Sequence, residues 1–252
     1  MDHLIVIFVL ALGLILGSFY NVIGLRIPIG KSIVWPRSQC FNCKRSLTTI
    51  ELIPLVSFIL LKGCCQSCKK KISAIYPLVE LLTGLLFLVA YFHLGLTAEL
   101  LVALLLISLL MIITVSDIRY MIIPDRILLF FCPVFLLLRY TIAPASNAFE
   151  SLAGMLVGFI MLWLIKTISH GRMGGGDVKL FAVLGIVLGL NGVLLAFMLS
   201  CFFGALIGGV GMMLGKVSKG QPISFGPYIA IGTMVTYFFG SFLIQLYISL
   251  LK

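Results

Sequence analysis

Charge is what this 252-residue chain has least of: 10% of its residues are Asp, Glu, Lys or Arg, and 62% are hydrophobic. That balance excludes a soluble globular domain, which is about half apolar, and indicates an all-α polytopic membrane protein. Acids are scarcer still, eight in all, and a carboxylate at membrane depth is costly unless it faces water or protein, so each such acid is a functional hypothesis. No Lys or Arg precedes the first apolar run, which continues to about Ile23 without a clear small-residue cleavage site. The run therefore reads as a retained first span rather than a removed secretory signal. No Gly-x-Gly-x-x-Gly follows a strand-like segment, so a Rossmann-type cofactor site has no support. Internal repeats and low-complexity segments are absent apart from the apolar runs themselves.

What is abundant is hydrophobic length. Runs of roughly 20 apolar residues, the length that crosses a bilayer, fall at 4–24, 74–92, 98–116, 122–140 and 149–169. The 39 residues of 177–215 hold two more spans, divided at Asn191-Gly192, and a last one lies within 225–251. About eight transmembrane helices are expected. The net charge of +10 does not indicate nucleic acid, because nine of the 18 Lys and Arg lie between Arg26 and Lys71, beside the spans. Anionic lipid headgroups are the expected partner. Alternation of the spans puts 16 basic residues on one side, including Arg119, Arg126, Lys166, Arg172, Lys179, Lys216 and Lys219, and leaves Arg139 and Lys252 on the other. By the positive-inside rule the 16 are cytoplasmic and both termini are outside. His170 falls in a basic loop as a surface residue, and Trp163 suits an interface anchor. The expected organisation is a first span at 1–25, a cytoplasmic insert at 26–73 and a transmembrane core at 74–252.

The insert carries Cys40-Phe41-Asn42-Cys43 and Cys65-Gln66-Ser67-Cys68, two Cys-x-x-Cys knuckles 21 residues apart. Four thiolates so spaced suit one tetrahedral zinc ion, and a reducing compartment disfavours the disulfide alternative. Cys64 is a fifth thiol that could replace Cys65. Cys132 and Cys201 lie in apolar spans and read as small buried hydrophobes.

Two acids mark the chemistry. Asp177 follows Gly174, Gly175 and Gly176 at the start of an apolar run; the glycines admit close approach of another backbone or a substrate. Asp117 ends the third span, on the same side as Asp177 by the topology. Two carboxylates close together share a proton, so that one serves as base on a water while the other serves as acid. Simple alternatives stand beside this: Asp177 as a helix cap, Asp117 paired with an interfacial arginine, and Asp125 capping the helix after Pro124. Glu80 is a site residue or an interface anchor, and Phe225-Gly226-Pro227 lines a cavity or forms an interfacial turn. A transporter using Asp117 and Asp177 for protons or cations is the reading from another class, but it would spread acids across both leaflets, and these cluster on one side.

Taken together, Gly17-Ser18-Phe19-Tyr20-Asn21-Val22, the paired knuckles, Tyr76-Pro77-Leu78-Val79-Glu80, Asp117 with Ile123-Pro124-Asp125, Gly174-Gly175-Gly176-Asp177 and Phe225-Gly226-Pro227-Tyr228 resemble the bacterial type IV prepilin peptidases, membrane aspartic proteases of the GxGD class. The resemblance implies cleavage of the basic leader of prepilin-like proteins after a glycine at the cytoplasmic membrane face. It also implies methylation of the new N-terminus with S-adenosylmethionine, in which the cysteine insert takes part. Its two catalytic aspartates fall on Asp117 and Asp177, with Asp125 eight residues from the first. Gly174, Gly175, Gly176, Asp125, Glu80, Gly226 and Pro227 are the expected supporting residues. The docking place of a basic leader is not evident, since the insert holds Glu51 as its one acid; Glu80, Asp125 and the two aspartates are the candidates.

Overall fold

A computed structural model describes residues 2–143, 148–169, 173–215 and 223–250. His170, Arg172, Lys216, Lys219 and Lys252, used above, lie outside the described residues. Among the described residues there is no strand, and two isolated bridges sit within the insert. The long helices are α1 (Asp2–Arg26), α3 (Ile75–Leu94), α4 (Ala98–Tyr120), α5 (Asp125–Thr141), α6 (Ala148–Ile168), α7 (Gly175–Met213) and α8 (Gly226–Leu250), with a short α2 (Val56–Leu60) inside the insert. Among the described residues, six helices are long and apolar enough to cross a membrane. One of them, α7, is 39 residues and broken in the middle, and α5 is a further apolar helix of 17 residues. The eight expected apolar segments are therefore all present as helix.

The break in α7 falls at Gly189 (φ 70°, ψ −174°), not at Asn191-Gly192, which are helical. Glycine alone adopts that φ without strain. A carbonyl freed by a break inside apolar surroundings needs a donor. The buried Arg139 of α5 provides it, with Nη2 donating to the Val187 carbonyl at 2.9 Å.

The chain forms two compact units, Met1–Val115 and Ser116–Lys252, with the boundary inside α4. In the first, α1 packs on α3 through glycine: a Cβ on Gly13 would lie 2.7 Å from Gly84 Cα, and one on Gly17 would lie 2.8 Å from Glu80 Cα. The Tyr20 hydroxyl meets that of Ser108 at 2.5 Å, and Asn21 Nδ2 donates to the Tyr76 carbonyl at 3.2 Å. In the second unit, Gly154 and Gly158 of α6 face the stretch of α7 that carries Gly185 and Gly189. A Cβ on Gly154 would collide with the Gly185 carbonyl and lie 2.7 Å from Gly189 C. Two Gly-x-x-x-Gly pairs thus bring the backbones into contact, the usual device of helices in membranes, where lipid is as apolar as the side chains.

Candidate active site

In the second unit three helix ends meet. The last turn of α4 carries Asp117, 6% exposed, and α4 stops at Met121, which takes a left-handed φ of 54°. The segment through Ile123 leads to α5, while α7 begins at Gly174-Gly175-Gly176-Asp177 and α8 at Gly226. Gly176 lies against Ile123, whose Cβ would be 2.6 Å from a Cβ placed there. The glycine run therefore lets the start of α7 come down on the 121–124 segment.

Both acids are held by backbone N–H groups. Gly226, the first residue of α8, donates its N–H to Asp117 Oδ2 at 2.6 Å. A Cβ on Gly226 would lie 2.9 Å from the Asp117 Cβ and Oδ2, so only glycine permits this approach. Asp177 is the third residue of α7 and its carboxylate accepts the N–H of Gly174, the N-cap. This is the acidic half of a capping box: Asp177 does close its helix, as the plain reading supposed, and the same bond fixes the carboxylate in place. Asp117 lies near enough to Asp177 for its charge to act there. Two adjacent carboxylates pointed by helix N-termini can hold one shared proton and a water between base and acid roles.

The neighbouring acids are engaged otherwise. Asp125 sits in the first turn of α5, where a negative charge suits the helix dipole. Pro124 holds the N-cap position, and the Asp125 carboxylate takes the Lys179 ammonium at 2.7 Å, both side chains more than half exposed. Pro227 occupies the first turn of α8, where the missing N–H costs nothing. In the first unit, buried Glu80 accepts the Leu55 N–H at 2.9 Å and the Ser18 hydroxyl, pinning the insert to α1 and α3. Glu51 accepts from Arg45 at 2.6 Å and from the Thr48 N–H at 2.9 Å, so the insert's one acid ties its own loop together.

The insert's cysteines converge. The sulfurs of Cys40, Cys43, Cys65 and Cys68 all lie within 4.8 Å of one another; Cys40 and Cys68 are 3.7 Å apart, Cys43 and Cys65 4.0 Å. Four sulfurs at ~2.3 Å from one ion in a tetrahedron would be ~3.8 Å apart, so this set fits a metal. The knuckles repeat each other at an offset of 25 residues. Cys40 N–H bonds Arg45 O and Lys44 N–H returns to Cys40 O; Cys65 N–H bonds Lys70 O and Lys69 N–H returns to Cys65 O, each at 2.9–3.0 Å. Lys44 and Lys69 share a left-handed φ, and bridges close Gln39 to Ser46 and Cys64 to Lys71. Cys64 is thus the counterpart of Gln39, outside the ligand set. N–H groups of Cys68 and Ser67 draw the Cys65 thiol down to about 6, and that of Lys70 draws Cys68 below the usual thiol range.

Residues 11–94 match the bacterial peptidase A24 N-terminal domain, and residues 104–209 match the type IV leader peptidase family. The chain is 47% identical over 238 residues to the prepilin leader peptidase/N-methyltransferase of Bacillus subtilis (strain 168), covering 94% of this chain and 96% of that one. It is 34% identical over 265 residues to the protein of the same name from Aeromonas salmonicida (strain A449), with 94% and 91% covered, and 32% identical over 268 residues to that of Legionella pneumophila, with 94% and 92% covered. No solved structure matches the chain. The comparisons lend the transporter reading no support: by identity and by coverage, this chain belongs to the type IV leader peptidase family.

Proposed function

We propose that the protein cleaves the leader of prepilin-like proteins with Asp117 and Asp177 as its catalytic pair, and methylates the new N-terminus as the names of its relatives indicate. The observation that carries the cleavage reading is the approach of two carboxylates within one unit, each anchored by the backbone N–H of a glycine at a helix start. The ionised member takes a proton from water as its oxygen adds to the peptide carbonyl. The protonated member delivers its proton to the departing amine, and the C–N bond breaks. Gly174, Gly175, Gly176, Gly226 and Pro227 shape the backbone around the pair, and Asp125 with Lys179 braces the start of α5 against that of α7.

The cysteine cluster is proposed to hold zinc, whose chemistry there is structural: four thiolates leave no open coordination position. S-adenosylmethionine would supply the methyl group. Nucleotide sites often use a carboxylate on ribose hydroxyls; Glu51 and Glu80 are both engaged with the insert's own groups, so no residue is assigned to that cofactor. The one-sided charge distribution supports placing the insert and the pair on the cytoplasmic face of a bacterial cell membrane, against anionic lipid.

The test is cleavage of a prepilin-like substrate by purified variants. Asp117→Asn and Asp177→Asn keep size and polarity but cannot exchange the proton, and each should lose at least ~10²- to 10⁴-fold in rate at unchanged thermal stability. Near-normal cleavage by Asp177→Asn would overturn the reading, and an inactive Asp125→Asn beside an active Asp117→Asn would move the first acid to Asp125.

A further inference from the structure

We propose that Arg139 is a positioning residue for cleavage: from the far end of the first half of α7 it holds that half-helix, and with it Asp177, at the depth where the acid meets Asp117. The inference rests on the assignment of Asp117 and Asp177 as the catalytic pair.

Asp177 rides on a separate piece of helix. The break at Gly189 ends the first half of α7, so that half, 175–188 and ~20 Å long at ~1.5 Å per residue, does not inherit its place from the second. Its packing on α6 leaves its depth loosely defined. Gly158 lies on the Phe181 carbonyl, 2.5 Å from where its Cβ would be, and Gly154 lies on Gly185. Glycine faces bring backbones together but present no side-chain knobs to stop one helix sliding along the other.

The directional contacts come from α5. At the start of the half-helix, both side chains of the Asp125–Lys179 pair are more than half exposed, and such pairs contribute little. At its end, Arg139, 9% exposed, donates from Nη2 to the Val187 carbonyl at 2.9 Å and from Nη1 to the Ala143 carbonyl, just past α5, at 3.4 Å. A charged donor makes a stronger bond than a neutral one, and a cation suits the negative end of a helix. Glu150 of α6 also lies beside the break, its Oε2 3.9 Å from a Cβ placed on Gly189, but an ionised carboxylate has no hydrogen to give a carbonyl. α5 in turn follows the 121–124 segment that leaves the last turn of α4, where Asp117 sits. Through α5, one arginine thus connects the acid at the end of α4 to the acid at the start of α7. An ionisable residue buried among apolar helices is costly and marks function by default; this linkage is the function.

The experiment uses the full-length purified enzyme and one prepilin-like substrate, with kcat/KM followed against pH. Two carboxylates that share a proton titrate as a pair, and the closer they lie the further apart the two steps fall. The width of the bell-shaped profile measures that separation. Arg139→Met keeps an apolar stem and removes the donors. It should lower kcat by roughly 10²-fold, the cost of ~1 Å at a reacting group, with KM little changed, and it should narrow the bell. Arg139→Lys keeps the charge and one donor and should fall between Arg139→Met and the wild type. Loss of folded enzyme lowers the curve without altering its width, and reassay after return to neutral pH reveals any unfolding on either limb. A wild-type width in Arg139→Met, or in Arg139→Lys where the first variant does not fold, overturns the proposal, however far kcat drops. An active Asp177→Asn would instead overturn the catalytic assignment, whatever the width.

Discussion

Asp117 and Gly226, 109 positions apart in the chain, are joined by a 2.6 Å hydrogen bond from the first amide of α8 to the acid in the last turn of α4. The bond holds one oxygen of the carboxylate, Oδ2, on backbone, and the proposed proton transfer falls to the other oxygen. It also makes the position of an acid depend on the absence of a side chain elsewhere.

Gly226→Ala should therefore be a catalytic lesion in a folded protein. The new methyl, 2.9 Å from the Asp117 Cβ and Oδ2, has to push either the acid or the helix start aside. A displacement of ~1 Å at a reacting group costs about 10²-fold. Cleavage kinetics together with a melting curve check this: the rate should fall by that order while Tm moves little.

Metal content should follow the second knuckle. Cys64→Ala should retain the ion and Cys65→Ala should lose it, measured by elemental analysis of purified protein. Acidification should act in the same direction. Cys65 is drawn down to about 6 while Cys43 is pushed up to about 11, so Cys65 is the later of the two to take a proton as pH falls. A chromogenic chelator should see release increase as pH falls, since protons compete with metal for thiolates.

Close packing of α6 on α7 gives a stability prediction with its own control. Gly154→Ala drives a methyl into the Gly185 and Gly189 backbone, an overpacking that typically costs about 1–3 kcal/mol. Gly209→Ala on the same α7 meets nothing within 4 Å and should be neutral or gain up to about 1 kcal/mol from helix propensity. Thermal unfolding of the two variants in one detergent should separate them in opposite directions.

Glu80 is predicted to anchor the insert. Glu80→Ala strands the half-buried Leu55 N–H, at up to about 1 kcal/mol, below the cost of a fully buried unpaired donor, whereas Glu80→Gln keeps an acceptor. Limited proteolysis should cut Glu80→Ala faster than wild type around α2, with Glu80→Gln in between. Unchanged protease resistance in a Glu80→Ala enzyme that has lost activity would show that this acid takes part in the chemistry instead.

How much of this was readable beforehand depends on the range of the interaction. The spans, the two acids and the four clustered cysteines are carried by local signals: hydrophobic length, a carboxylate in apolar sequence, Cys-x-x-Cys spacing. The bond from Gly226 to Asp117, and that from Leu55 to Glu80, are backbone amides reaching across the chain, and no residue type announces a backbone donor. Asn-Gly is the stronger turn signal and points two residues late for the α7 break, yet Asn191 stays helical while Gly189, packed against Gly154, takes the break. The choice between Cys64 and Cys65 is open by spacing alone; in the fold it is the Cys65 sulfur that joins the cluster, while Cys64 sits on the bridge to Lys71. The knuckle repeat is not legible in the sequence, because Gln39–Ser46 and Cys64–Lys71 share backbone geometry while agreeing in sequence at little besides their cysteines and one lysine.

That repeat has a consequence in time. Each knuckle brings two sulfurs, and the second follows the first by 25 residues. At ~5–20 residues per second of synthesis, the newborn chain carries Cys40 and Cys43 for a few seconds before Cys65 and Cys68 exist. An ion held by all four cysteines, as proposed, can be fully ligated only once Cys68 has been made, and the chain of α3 follows directly after it.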